Sequence, residues 1–170
     1  MKIYLAGPLG FSEAGRDYHS RTIIPAVTAL GHAVLDPWVL TDLRKIRRVS
    51  QLPYGAKKQK AWRQLNAEMA ANNKNAIYAS DAVFAVLDGA DVDSGTAAEI
   101  GYAYALGKPI LGYRGDFRLS ADNEGSTVNL QVEFFIRASG GDIITTIDDL
   151  PSALEKLFRH STKEASSWNQ

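Results

Sequence analysis

The chain of 170 residues carries 19 lysine and arginine residues and 19 aspartate and glutamate residues, so its formal net charge is zero. This balance gives no overall electrostatic basis for binding nucleic acid or a membrane surface, and we predict neither partner. The sequence has no cysteine, which excludes disulfides, thiolate metal ligands and a cysteine nucleophile.

The length suits a single domain with a full hydrophobic core, which we place at residues 1–160. Residues 161–170 are polar, and we expect a loose tail there. No basic-then-apolar leader precedes the first apolar run, and no apolar run approaches the roughly 20 residues that a membrane-spanning helix needs. We therefore expect a cytoplasmic protein. Three scattered histidines lack the spacing of metal ligands, so we expect no metal site: His19, His32 and His160.

The first half of the chain predicts two strands and two helices. Residues 2–7 form an apolar run that ends in a glycine-proline turn, which is typical of a buried strand. Residues 14–30 carry apolar side chains at helical spacing and precede a glycine helix stop. Residues 32–37 predict a second strand, which ends at a proline. We expect residues 38–60 to be irregular because they contain proline and glycine breakers, and residues 61–79 to form a helix.

The second half predicts three more strands, each a short apolar run, over residues 82–88, 109–113 and 143–146. A helix follows the third strand and continues to about Leu106. Residues 128–138 form an apolar segment, and residues 148–158 a closing helix. Because strands alternate with helices, we predict an α/β fold with a five-stranded parallel sheet and helices on both faces. The strands lack polar alternation, as expected for a sheet buried on both sides.

The most informative stretch runs from Asp91 to Ala103 and joins the third strand to its helix through a short acidic turn. Open α/β sheets bind ligands at such carboxyl ends of strands. Asp93 or Ser94 can cap the helix by accepting a hydrogen bond from an unpaired backbone N–H. Glu99 lies about one turn into the helix among small residues, so nothing bulky shields it. This carboxylate is either a nucleophile or base facing a cleft, or a first-turn acid that complements the helix dipole.

Other polar side chains are predicted to reach the same edge of the sheet. Tyr4 lies within the first strand near that edge, and Asp88, Asp91 and Asp93 follow the third strand. Neighbouring carboxylates would raise the proton affinity of Glu99 unless a hydrogen-bond donor compensates. The Tyr4 hydroxyl could be that donor and could orient the carboxylate. The alternative for Tyr4 is a strand aromatic whose hydroxyl lies at the rim.

Residues 44–63 hold eight of the 19 lysine and arginine residues, with aromatic residues interleaved. This segment could be a lid that stacks on an aromatic ligand, a nucleic-acid patch or a solvated basic loop, and we favour the solvated loop for its charges. Trp38, just past the second strand, is the better stacking candidate. The turn at residues 7–10 is not a G-x-G-x-x-G fingerprint and there is no P-loop, so we predict no cofactor.

Four segments carry a family pattern in order along nearly the whole chain: residues 3–8, 80–87, 93–103 and 129–131. In these segments the chain resembles the nucleoside 2-deoxyribosyltransferases. The motif D-x-G-T-x-x-E-x-G, which begins at Asp93, is the most specific of them. A shorter G-T-x-x-E also occurs in nucleotide-sugar hydrolases of another α/β family.

The resemblance implies a flavodoxin-like three-layer fold, a homo-oligomer, and neither metal nor cofactor. Glu99 matches the family nucleophile, which attacks C1′ of a deoxynucleoside and forms a covalent deoxyribosyl ester that a second nucleobase resolves from the same face. Tyr4 matches the tyrosine that positions this nucleophile. Asp93 matches the acid that holds the sugar 5′-hydroxyl, and Asn129 matches an asparagine lent to the neighbouring subunit's site.

One position departs from the family pattern. The family usually has an aspartate eight residues before the position of Asp81, taken as the general acid for the leaving base, whereas this chain has Asn73. An amide can hydrogen-bond a base but cannot supply a proton, which is typically worth about 10²- to 10⁴-fold in rate. Asp91 or Asp88 takes over this role, or the enzyme is slow, or its substrates differ.

The predicted function is transfer of 2-deoxyribose between nucleobases, with nucleosides and free nucleobases as ligands. Two alternatives stay open: a nucleoside N-glycosidase, in which water resolves the intermediate, and a non-catalytic nucleoside- or nucleotide-binding module. Gly7 and Trp38, past the first two strands, join Asn73 and Asp91 in the predicted substrate-binding set. Because the Asp93 carboxylate would repel a phosphate dianion, we expect nucleosides to be preferred over their monophosphates.

Overall fold

A computed structural model describes residues 1–167, with side chains described as far as Arg159. The strands are β1 (Lys2–Ala6), β2 (Ala33–Leu35), β3 (Ala82–Val86), β4 (Ile110–Tyr113) and β5 (Ile143–Ile144). They pair in parallel in the order β2-β1-β3-β4-β5, which is the strand order of flavodoxin-like sheets. The predicted α/β fold with a five-stranded parallel sheet is therefore confirmed.

The described residues form seven α-helices: α1 (Glu13–Tyr18), α2 (Ile24–Ala29), α3 (Leu43–Ser50), α4 (Ala56–Ala79), α5 (Ser94–Ala105), α6 (Leu130–Ala138) and α7 (Leu150–Ser167). Side chains alternate across β1, so Tyr4 and Ala6 face one layer while Ile3 and Leu5 face the other. The first layer contains α4, α5 and α6, and the second contains α2 and α7. Helices thus cover both faces of the sheet.

The prediction that residues 38–60 are irregular was wrong, because this segment contains α3 and the first turn of α4. Asp42 caps α3, since its Oδ1 accepts a hydrogen bond of 2.8 Å from the backbone N–H of Arg44. The breakers Pro53 and Gly55 lie between the two helices and interrupt neither of them.

Two predicted helices also have different bounds. A π-helical segment, His19–Ile23, interrupts the helix predicted over residues 14–30. The closing helix begins at Leu150 after a 3₁₀ turn and continues to Ser167. It therefore takes in most of the tail predicted at residues 161–170, the last three of which lie outside the described part. Within residues 1–167, every helix is too short or too polar to traverse a lipid bilayer.

Candidate active site

A cavity of about 330 Å³ opens at the carboxyl ends of β1 and β2, beside the N-terminus of α5. Its volume falls in the range of about 300–1,000 Å³ that is usual for small-molecule sites. One wall is apolar and partly aromatic, and consists of Phe11, Trp38, Ile46 and Met69. The opposite side is polar and contains Asn73, Asp93, Thr96 and Glu99. The cavity thus combines a surface for stacking a ring with a cluster of hydrogen-bonding groups.

Glu99 is held at this polar side by two donors from other parts of the fold. The hydroxyl of Tyr4, on β1, donates a hydrogen bond of 2.6 Å to Glu99 Oε1. The side-chain amide of Asn73, on α4, donates a longer bond of 3.4 Å to the same oxygen. Both bonds end on Oε1, and no hydrogen bond to Oε2 is found among the described residues. The structure therefore brings together three residues that the sequence placed 26 and 95 positions apart.

The surroundings of Glu99 raise the pKa of its carboxyl above the ordinary value. Burial is the largest cause, and the charge of Asp93 adds to it, while the hydrogen bonds from Tyr4 and Asn73 oppose the increase. The sequence led us to expect that neighbouring carboxylates would raise the pKa of Glu99, whereas burial is the main cause. Burial and the charge of Glu99 also raise the pKa of Tyr4 far above its usual range, so the hydroxyl keeps its proton and remains a donor.

Asp93, rather than Ser94, caps α5. Its Oδ2 accepts hydrogen bonds from the backbone N–H of Thr96 at 3.0 Å and from the Thr96 hydroxyl at 3.2 Å. The cap fixes the Asp93 carboxylate at the cavity rim and the first turn of α5 beneath it. Both bonds end on Oδ2, and Asp93 also lines the cavity.

Trp38 forms the aromatic wall together with Phe11, with ring centroids 4.8 Å apart and ring planes at 88°. The backbone of Trp38 is fixed by a buried pair of side chains, Asp36 and His19, that was not predicted from the sequence. The backbone N–H of Trp38 donates to Asp36 Oδ1 at 3.0 Å, and Asp36 Oδ2 lies 3.2 Å from His19 Nε2. At Gly10, an added Cβ would lie 2.1 Å from the Trp38 ring, so a side chain there would displace the wall.

The family model for nucleoside 2-deoxyribosyltransferase matches residues 3–131, about three quarters of the chain. The chain belongs to this family. A search of curated protein sequences finds no match.

Solved structures agree with membership of the nucleoside 2-deoxyribosyltransferase family. The chain is 26% identical to the 2-deoxyribosyltransferase of Bacillus psychrosaccharolyticus, with a TM-score of 0.60 and coverage of 88% of this chain and 90% of that one. It is 25% identical to the 2-deoxyribosyltransferase of Leishmania mexicana, with a TM-score of 0.61 and coverage of 94% of this chain and 97% of that one. It is also 25% identical to a conserved protein from Enterococcus faecalis V583, with a TM-score of 0.65 and coverage of 94% of this chain and 98% of that one.

Some predicted site residues of this family member lie outside the cavity of the single chain. Asp91 is exposed, and its Oδ1 accepts a bond from the backbone of the next residue, so it does not line the cavity. Asp88 instead accepts a hydrogen bond of 2.9 Å from the backbone N–H of Asp116. Asn129 caps α6 through its Oδ1 and is also absent from the lining. Neither Asp88 nor Asp91 therefore faces the cavity as a replacement acid.

Gly7 does line the cavity, where β1 runs close against β3. A Cβ added at Gly7 would lie 3.0 Å from the Cβ of Val86, so a side chain would force the two strand ends apart. Seven lining residues were not in the predicted site: Phe11, Pro37, Thr41, Ile46, Met69, Gly95 and Thr96. The helical periodicity of residues 43–50 could have indicated α3 and therefore the position of Ile46.

Among the described side chains, which exclude His160, no group of three or more His, Asp and Glu residues is arranged to hold a metal ion.

Proposed function

We propose that this member of the nucleoside 2-deoxyribosyltransferase family transfers 2-deoxyribose from one nucleobase to another. The observation that carries the proposal is the Glu99 carboxylate, which lines a cavity with an aromatic wall and is held through Oε1 by the Tyr4 hydroxyl. The two similar proteins named as 2-deoxyribosyltransferases support the same assignment.

In the first step, the base of the donor nucleoside packs against Trp38 and the sugar lies over the N-terminus of α5. Glu99 Oε2 attacks C1′ as the C1′–N bond breaks, and the electron pair of that bond goes to the base nitrogen. The products are a deoxyribosyl ester of Glu99 and a base anion, which takes a proton from solvent to become the free base. Tyr4 keeps the carboxylate oriented by holding the other oxygen.

In the second step, a ring nitrogen of an incoming base attacks C1′ from the face that the first base left. The C1′–O bond breaks and its electron pair restores the Glu99 carboxylate, while the incoming base loses its N–H proton to solvent. Two displacements at one carbon retain its configuration, as in retaining glycosidases. If water occupies the acceptor position, the same site becomes a nucleoside N-glycosidase.

Asp93 is proposed to accept a hydrogen bond from the sugar 5′-hydroxyl through Oδ1. Its charge, fixed at the cavity rim by the α5 cap, would repel a 5′-phosphate dianion. Nucleosides are therefore the proposed substrates, rather than their monophosphates.

Asn129 is proposed to reach the site of a second copy of the chain. Leu130 and Phe134, on the helix that Asn129 caps, are half-exposed large apolar side chains. A neighbouring subunit that covers them would also receive the Asn129 amide, so the active form is proposed to be a homo-oligomer.

The test is product analysis after incubation with 2′-deoxyinosine, with and without adenine. Deoxyadenosine that forms only when adenine is present supports base exchange. Hypoxanthine released at the same rate without adenine, and no deoxyadenosine, makes the protein an N-glycosidase. Glu99→Gln should abolish product formation, and the matched control Glu155→Gln on α7 should not. If wild type and Glu99→Gln release equal amounts of base above the enzyme-free control, Glu99 is not the nucleophile and the proposal is wrong. If neither releases base above that control, a binding module is the better account.

A further inference from the structure

The charged residues that line the cavity are of one sign. Among the described lining residues these are Asp93 and Glu99, and both are carboxylates. The basic helix α3 contributes only Ile46 to the lining. Two of its cations are paired with acids outside the cavity, Arg44 with Asp42 and Lys45 with Glu68. A ligand in this cavity therefore meets negative charge.

The aromatic wall of the cavity, like its carboxylates, favours a positively charged ligand. Trp38 and Phe11 present aromatic rings, whose faces attract a cation located within about 6 Å of the ring centroid. Tryptophan is the strongest of the aromatic side chains in this respect. A flat cationic ring stacked on Trp38 would interact with the indole and with the two carboxylates at once.

The remaining hydrogen-bonding side chains that can reach a base are neutral. Thr41 Oγ1 accepts a bond of 3.0 Å from the side-chain amide of Asn72, so its own hydroxyl hydrogen is free to donate. Asn73 offers an amide beside Glu99. A hydroxyl and an amide can hydrogen-bond a departing base, but neither is an acid that can transfer a proton to it. Asp93 is engaged as the cap of α5 and accepts hydrogen bonds there.

We infer that this site selects 2′-deoxynucleosides whose base already carries a positive charge, such as N7-alkylated purines. The inference rests on the proposed function and names its substrate class. In such a substrate the C1′–N9 bond breaks, its electron pair stays on N9 and cancels the ring charge, and a bond forms between Glu99 and C1′. The base leaves as a neutral molecule and no proton moves. A neutral purine would have to leave as an anion, which the two carboxylates disfavour.

Asn73 is the residue that sets this selectivity. An aspartate at this position would place a protonatable carboxyl beside Glu99, where two carboxylates that share a site raise the proton affinity of one of them. That carboxyl could protonate a neutral base as it leaves, and proton transfer of this kind contributes about 10²- to 10⁴-fold. Asn73→Asp should therefore widen the substrate range.

The experiment compares 7-methyl-2′-deoxyguanosine with 2′-deoxyguanosine in wild type, Asn73→Asp and the matched control Asn75→Asp, which lies on the exposed side of α4. Base release is followed by chromatography, and release without enzyme is subtracted. In the wild type we expect kcat/KM to be larger for the methylated substrate by about 100-fold or more. Asn73→Asp should raise kcat/KM for 2′-deoxyguanosine by about 100-fold and leave the methylated substrate nearly unchanged. Asn75→Asp should change neither value.

Equal kcat/KM values for the two substrates in the wild type would overturn the inference, because a proton donor would then be acting. Acceleration of both substrates alike by Asn73→Asp would overturn it as well. The wild-type ratio decides the question alone if Asn73→Asp does not fold. The wild type must also release 7-methylguanine faster than the Glu99→Gln variant does. If it does not, the proposed function itself fails, and the inference with it.

Discussion

The Tyr4 hydroxyl donates a hydrogen bond of 2.6 Å to Glu99 Oε1 and so joins the first strand to the fifth helix across 95 positions of sequence. Glu99 lines the cavity, whereas Tyr4 is fully buried beneath the lining and reaches the site only through this hydrogen bond. The bond lowers the pKa of a carboxyl that burial would otherwise raise further. The tyrosine therefore favours the ionised form of the group that we propose as the nucleophile.

Tyr4→Phe should reduce kcat/KM for base release by about 10- to 100-fold, since a hydrogen bond to a charged group contributes about 1.5–3 kcal/mol. It should also shift the acidic limb of the pH–rate profile to higher pH, because Glu99 would lose the donor that lowers its pKa. The measurement is kcat/KM as a function of pH. A lower rate with an unmoved acidic limb would mean that Tyr4 acts by packing alone.

Glu99→Gln should make the protein more stable near neutral pH. An acid whose pKa is raised on folding binds its proton more tightly in the folded state, so its ionisation above the folded pKa costs stability. The variant lacks this cost and should have the higher Tm at about pH 8. The difference should disappear as the pH falls below the ordinary glutamate pKa of about 4.3. Thermal unfolding across this range tests the prediction, and a wild type that is the more stable at the alkaline end contradicts it.

Asp93→Ser should weaken the preference for nucleosides over 5′-monophosphates. Serine retains a side-chain oxygen that can cap α5, so the change removes the charge and keeps the cap. We expect kcat/KM for a deoxynucleoside 5′-monophosphate to rise by about 10-fold or more relative to the nucleoside, as the repulsion between two charges about 4 Å apart is at least about 1 kcal/mol. Asp91→Ser, outside the cavity, is the control. An equal change in both variants would assign the effect to the overall charge of the surface.

Asp36→Ala should both destabilise the fold and loosen the cavity wall. It removes the acceptor of the Trp38 backbone N–H and the carboxylate beside buried His19, a change expected to lower the free energy of unfolding by about 1–3 kcal/mol. Asp36→Asn retains an oxygen for the Trp38 N–H and should preserve KM better than alanine does. Urea unfolding and KM for the nucleoside are the measurements. Equal KM values in the two variants would show that the bond to Trp38 does not shape the site.

Local patterns predicted the central residues of the site because each has a signature that does not depend on tertiary contacts. Tyr4 lies within a buried apolar strand, and Asp93 and Glu99 lie at the start of a helix that follows another such strand after a short turn. Parallel strands bring their carboxyl ends to one edge, so these residues had to approach one another. The alternation of strands and helices predicted the sheet for the same reason.

The cavity wall was harder to predict because it depends on packing between distant segments. Ile46 was missed because the breakers near it led to an irregular segment in place of α3. Met69 and Phe11 reach the cavity from an α-helix and a short 3₁₀ helix whose apolar residues look like ordinary core. His19 meets Asp36 through a π-helical segment, and the extra residue in such a turn leaves no periodic signal in the sequence.

The central claim is that Glu99 becomes covalently attached to the sugar. The most direct measurement is mass spectrometry of the protein, quenched in acid within the first turnover with 7-methyl-2′-deoxyguanosine and no acceptor base, followed by peptide mapping. We predict a mass increase of one deoxyribosyl group on the peptide that contains Glu99, in the wild type and not in Glu99→Gln. A first turnover that releases the base without this adduct, or with the adduct on another residue, would contradict the account.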